Sequence, residues 1–202
     1  MQEKQNDVFD AFDGDQLREL VRTLQPLPTG AVSESAKLVA AHAVPLGEIL
    51  VDQGDLTPMQ VNHLLDVQSA TPRSVGDLAE RLFGVSPRRV AEAWVEQYVQ
   101  RHGVHDLSDQ PCDAKCISLL EARQAWQFRL APLRKLDDGG AVLMATDRQS
   151  LIRAVQFAGQ ALPVAPTFLV AERDSLRDLL RRNYPVSNSY ADLAFPRAGR
   201  AA

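Results

Sequence analysis

Four side chains able to bind a soft metal lie close together in the sequence: His102-x-x-His105, then Cys112-x-x-x-Cys116. Zinc takes four such nitrogen and sulfur ligands in a tetrahedron. The spacing is not one of the standard paired forms. A second reading stays open, in which both histidines face the negative end of a helix and both cysteines share one helix face. No metal is assigned. The remaining chemistry is sparse: the chain has neither GxxxxGK[ST] nor HExxH, and no Ser-His-Asp arrangement. The basic run Arg177–Arg182 reads as the last turns of a helix, where cations are ordinarily favoured, and not as a nucleic-acid contact. The protein is therefore expected to be no enzyme and to bind no nucleic acid.

A repeated pattern carries more information. The stretch LGEILVDQGDLTPMQVNHLLDVQ (46–68) and the stretch VGDLAERLFGVSPRRVAEAWVEQ (75–97) align without a gap. Each opens with an apolar residue, Gly and an acid, has Ser or Thr before Pro in the middle, and closes on Gln. Thr57-Pro58 and Ser86-Pro87 are helix starts, because Pro at the first helical position gives up an amide hydrogen that would go unpaired. Each unit is then a helical hairpin of about 24 residues, with a spacer of roughly five. Two functions fit. Gly47 and Gly76 would let a ligand approach a helix start, whose free amides favour an anion, while Gln68 and Gln97 offer donor and acceptor. Two copies would suit a ligand that is itself two-fold symmetric. Equally, the glycines allow close helix packing and each Gln brackets a turn.

These hairpins sit between other elements. Residues 1–43 read as a helical N-terminal extension, with helices over 17–24 and 35–42. Residues 44–103 hold the tandem motif. Residues 104–184 read as a small α/β subdomain: extended runs 128–136 and 141–146 around an Asp137–Gly140 turn, a helix over 148–158, a strand over 164–170, and a helix over 173–183. Residues 185–202, rich in Ser, Asn, Pro, Gly and Ala, read as a flexible tail. The expected class is α+β, with tandem helical hairpins followed by a β-β-α-β-α layer and not by a doubly wound nucleotide fold.

At the repeated residues the sequence resembles the N-terminal, MshEN-type domain of the assembly ATPases of type II secretion and type IV pili. That family carries RLGxxL and LxxxLxxQ in tandem. Here the copies read Pro45-Leu46-Gly47-Glu48-Ile49-Leu50 with Val61, Leu65 and Gln68, and Ser74-Val75-Gly76-Asp77-Leu78-Ala79 with Val90, Trp94 and Gln97. "VHDLSD", "FRLAPLRK" and "LMATDRQS" downstream also resemble the family, with Asp147-Arg148 where the family usually has Asp-Pro. The resemblance implies cyclic di-GMP as ligand. One half-site would be Leu46, Gly47, Leu50, Val61, Leu65 and Gln68, and the other Gly76, Val90 and Gln97. The family's arginines are replaced by Pro45 and Ser74, and Arg73 is the substitute cation. The resemblance also implies a protein partner from a secretion, pilus or other envelope machine. The expected role is a stand-alone regulatory or adaptor protein without the ATPase core. The alternative is a pure protein adaptor whose motif no longer binds nucleotide.

Bulk properties agree with an ordinary globular protein: 202 residues, 45% apolar, 24% charged and a net charge of −4. That charge supplies no general attraction to nucleic acid or anionic membrane. No apolar run approaches the roughly 20 residues that span a bilayer, and the N-terminus is polar and acidic. With two cysteines only, the expected compartment is the cytoplasm.

Overall fold

The computed structural model describes residues 44–136 and 141–196. The helices expected over 17–24 and 35–42 and the turn at 137–140 lie outside the described residues. The described chain falls into two compact units, 44–103 and 104–196.

The described part of the first unit consists of four helices: α1 (Leu46–Asp52), α2 (Pro58–Ala70), α3 (Val75–Phe83) and α4 (Pro87–His102). The start signals act as expected. The Thr57 hydroxyl accepts from the Gln60 amide, and the Gln60 side chain accepts from the Thr57 amide at 2.7 Å, closing a reciprocal cap. Ser86 accepts from the Arg89 amide at the head of α4. The two hairpins differ at their turns. Gly54 has φ +77° after α1, whereas the left-handed residue after α3 is Gly84 at φ +67°, one place later in the repeat. Phe83, which aligns with Gly54, is thereby free to remain helical, and α3 runs longer.

The core of this unit follows the repeat. Its buried residues are Ile49, Leu50, Leu56 and Leu64 from the first copy and Leu78, Ala79, Val85 and Ala93 from the second. Each of the first four aligns with one of the second four at the repeat's own offset. Where the first copy has Leu50 and Leu64, the second has Ala79 and Ala93, so the first copy supplies the larger side chains of this shared core. Packing also crosses the copies: α1 lies on α4 and α2 on α3, besides α1 on α2 and α3 on α4.

The second unit contains α5 (Ala114–Ile117), α6 (Ala122–Phe128), β1 (Leu130–Leu136), β2 (Ala141–Asp147), α7 (Leu151–Ala161), β3 (Pro166–Ala171), α8 (Arg173–Asn183) and α9 (Asn188–Ala194). The sheet order is β1-β2-β3, antiparallel between β1 and β2 and parallel between β2 and β3. Helices α7 and α8 both pack on β2, and every residue from Val142 to Asp147 is buried. A strand covered on both faces explains that continuous apolar run. The unit is mixed, with its helices built around a small β layer, and the chain as described is α+β.

Several boundaries move for identifiable reasons. Phe128 ends α6 instead of opening a strand, because Arg129 takes a left-handed conformation (φ +48°) and β1 starts at Leu130. The helix expected from Arg148 begins at Leu151, since the Asp147 carboxylate accepts from the Ser150 amide at 2.7 Å and holds residues 147–150 as a turn. After α4 the chain makes an isolated bridge, His105 beside Ala171. Residues 188–194, expected to be part of a flexible tail, form a helix capped by Ser187, with Ala191 and Phe195 buried. Among the described residues no helix is long and apolar enough to cross a membrane.

Candidate functional site

The two glycines of the tandem motif have equivalent neighbours. A Cβ on Gly47 would stand 2.8 Å from Val61 Cγ1, and one on Gly76 would stand 2.7 Å from Val90 Cγ1. Both distances are shorter than carbon atoms tolerate, so each glycine admits the valine of its own hairpin. Across the copies, Leu46 reaches to 3.7 Å from the same Cβ position on Gly76. The structure thus brings together Leu46, Gly76 and Val90, and separately Gly47 and Val61.

The two glutamines exchange places. Gln68, at the end of the first copy, donates from Nε2 to the Arg73 carbonyl at 3.2 Å, just before the second copy starts. Gln97, at the end of the second copy, donates to the Val44 carbonyl at 3.0 Å, just before the first copy starts. Val44 and Arg73 are themselves aligned in the repeat. Each copy therefore closes the lead-in turn of the other, and the motif ties itself into a ring of two reciprocal bonds. The sequence suggests Gln as a turn bracket but not this crossing, which depends on how the hairpins pack.

Arg73, the expected substitute cation, is directed elsewhere. Its Nη1 lies 2.8 Å from Asp77 Oδ2, while Arg81 Nε lies 2.6 Å from Oδ1 of the same carboxylate. Asp77 is only 4% exposed. The spacing of Asp77 and Arg81 reads as a solvated helix face; the carboxylate is instead buried, and two half-exposed guanidinium groups neutralise it. Ser74, at the family's other arginine position, caps α3 by accepting from the Asp77 amide at 3.2 Å, whereas Pro45 gives α1 no side-chain cap.

Two further expected ligand positions separate. Leu50 is fully buried in the core, so its side chain is closed to any ligand at the surface. Leu65, one turn from Val61 and from Gln68, is half exposed. A contact with no sign in the sequence is that of Arg89, whose Nε meets both Asp55 oxygens at 3.0 Å and whose Nη2 donates to the Gln53 carbonyl. It ties the start of α4 to the turn after α1, and its hydrogen bonds with Asp55 raise its already high pKa.

The histidine–cysteine run resolves into separate roles. The His102 ring packs against Tyr98 at a tilt of 46°, with ring centroids 4.4 Å apart. The His105 amide donates to the Val170 carbonyl beside β3. Cys112 precedes α5 and Cys116 is buried within it, so the two do not share a helix face as expected. Burial pushes both thiols up, away from the thiolate that would bind metal or react. Among the described residues no three His, Cys, Asp or Glu side chains gather closely enough to hold a metal ion.

Residues 101–189 match the family model of the MshEN domain. That segment runs from the end of α4 to the start of α9 and leaves the tandem motif outside it. A solved structure described as "Structure of MshE with cdg" is similar at 24% identity with a TM-score of 0.40, covering 70% of this chain and 99% of that one. No curated protein matches. Over residues 101–189, this chain is similar in sequence to the MshEN domain.

Proposed function

We propose that this chain is a non-enzymatic regulatory adaptor of the MshEN type, whose tandem motif is the rigid frame of a protein-docking module and not a nucleotide receptor. The observation that carries this reading is the internal engagement of the motif's polar groups. Gln68 and Gln97 hold the two lead-in carbonyls, and Arg73 is bound to a buried carboxylate. A phosphate would have to draw Arg73 away from Asp77, stripping that buried charge of a guanidinium partner. Charges removed from water in this way need their partners. The other two cation positions are Pro45 and Ser74, neither of which can form an ion pair with phosphate. By resemblance, the partner is a component of a secretion, pilus or other envelope machine.

A second reading, an effector that binds cyclic di-GMP, draws on one feature: two lead-in turns equivalent in the repeat, each beside a glutamine, as a two-fold symmetric dinucleotide would require. Calorimetric titration of the purified protein with cyclic di-GMP separates the two. The adaptor reading expects no saturable heat with ligand at hundreds of micromolar, and binding only after Pro45→Arg and Ser74→Arg restore the cations. Saturable binding by the natural sequence at about micromolar Kd, near −8 kcal/mol, would overturn it in favour of the effector.

A further inference from the structure

Helix α9 and the two residues after it rest on the second unit through few side chains. Within 188–196 only Ala191 and Phe195 are buried; Leu193 is 70% exposed. The Phe195 ring stands edge-on to Trp126, with centroids 5.7 Å apart and planes at 86°. Two guanidinium groups flank it, Arg129 at 4.8 Å and Arg173 at 5.5 Å from the ring centre. The same two arginines grip the backbone on either side of it: Arg129 Nε donates to the Ala194 carbonyl at 2.7 Å, and Arg173 to the Pro196 carbonyl. Arg177 pairs with Asp192, about one turn earlier.

The receiving side is built independently of α9. Arg129 is held from below by Asp147 at 2.9 Å, and Gln149 accepts from both Arg129 and Arg173. Arg129 does this from a left-handed backbone, where glycine would be the cheaper residue. That conformation costs a non-glycine residue energy, so its side chain is what the position requires. A buried aromatic anchor flanked by arginines has the residue types that carry most of the binding energy where one chain docks on another.

We infer that the slot formed by Trp126, Arg129 and Arg173 is a peptide-docking site, occupied in cis by α9 and Phe195 and open to exchange with a partner protein. The segment it takes is a short helix with an acid about one turn before a terminal aromatic residue. Charge supports that choice: Arg129 pairs with the unit's own Asp147, whereas Arg177 pairs with Asp192, which arrives with the segment. The occupant is suited to exchange, because a helix of seven residues is too short to persist by itself and leaves when its anchor leaves. This site lies in the second unit and stands whether or not the tandem motif binds nucleotide.

The test uses the full chain carrying Phe195→Ala and a labelled peptide of residues 187–202 added in trans. The peptide is expected to bind the variant about tenfold or more tighter than the natural chain, where the cis segment competes, and to lose binding when its own Phe195 is Ala. No binding to a cooperatively folded variant, or equal binding to variant and natural chain, would overturn the inference. If the variant does not fold cooperatively, native-state hydrogen exchange on the natural protein decides. Amides of Ala191 and Phe195 exchanging about a hundredfold or more faster than those of β2 support an exchangeable segment. Exchange of α9 only with global unfolding would refute it.

Discussion

The first and second copies of the tandem motif bury the same positions and differ around their lead-in turns. Ile49 and Leu78, Leu56 and Val85, Gly47 with Val61 and Gly76 with Val90 repeat in position and in role. So do the glutamine bonds from each copy to the other. The groups nearest the lead-in turns do not repeat. Copy two has a serine cap and the Arg73–Asp77–Arg81 cluster, while copy one has Pro45 and no side-chain cap. What the two copies share is the packing of a pseudo-two-fold frame, and what they do not share is the chemistry that would meet a symmetric ligand.

The largest effect should come from unbalancing the paired core. Leu50→Ala is expected to lose about 2–5 kcal/mol in urea unfolding, through lost transfer energy and a cavity. The converse change in the other copy, Ala79→Leu, should lose about 1–3 kcal/mol by overpacking. Because both positions belong to one core, making both changes should cost less than the sum of the two. Strict additivity would show that the copies pack as separate hairpins.

A smaller effect tests the equivalence of the glycines. Gly47→Ala and Gly76→Ala each push a methyl group into a valine, at a cost of about 1–3 kcal/mol that helix propensity offsets by about 1. Denaturation should give nearly equal losses for the two, and each should be relieved by removing the matching valine, Val61→Ala or Val90→Ala. A loss confined to one copy would break the comparison. The helix starts give the smallest difference: Thr57→Ala, which removes a reciprocal cap, should cost about 1 kcal/mol, and Ser86→Ala less, since its cap is one-sided.

Much of this architecture is legible in the residues themselves. Thr57-Pro58 and Ser86-Pro87 mark helix starts by local chemistry alone, and α8 falls at Arg173–Asn183 because its apolar spacing and flanking strand leave little choice. Other features depend on packing. An i,i+4 charge pair looks the same on an exposed or a buried face, so the spacing of Asp77 and Arg81 does not distinguish a buried acid from a surface one. Arg129 gives no sign of a left-handed backbone, since glycine is the residue that usually announces one. The Ser, Asn and Pro content of residues 185–189 resembles a loose end, yet Ser187 serves as a helix cap, and Phe195 enters a slot made elsewhere in the chain. At the tandem motif, residue types and spacing are legible, whereas the crossing of Gln68 and Gln97 arises only when the hairpins fold together.

That crossing is the centre of the account, and urea unfolding of the chain with Gln68→Ala and Gln97→Ala together tests it most directly. Each bond should contribute about 0.5–1.5 kcal/mol, so the double variant is expected to lose about 1–3 kcal/mol, with both glutamines contributing. Unchanged stability in the double variant would contradict it, and would free both glutamines for a ligand.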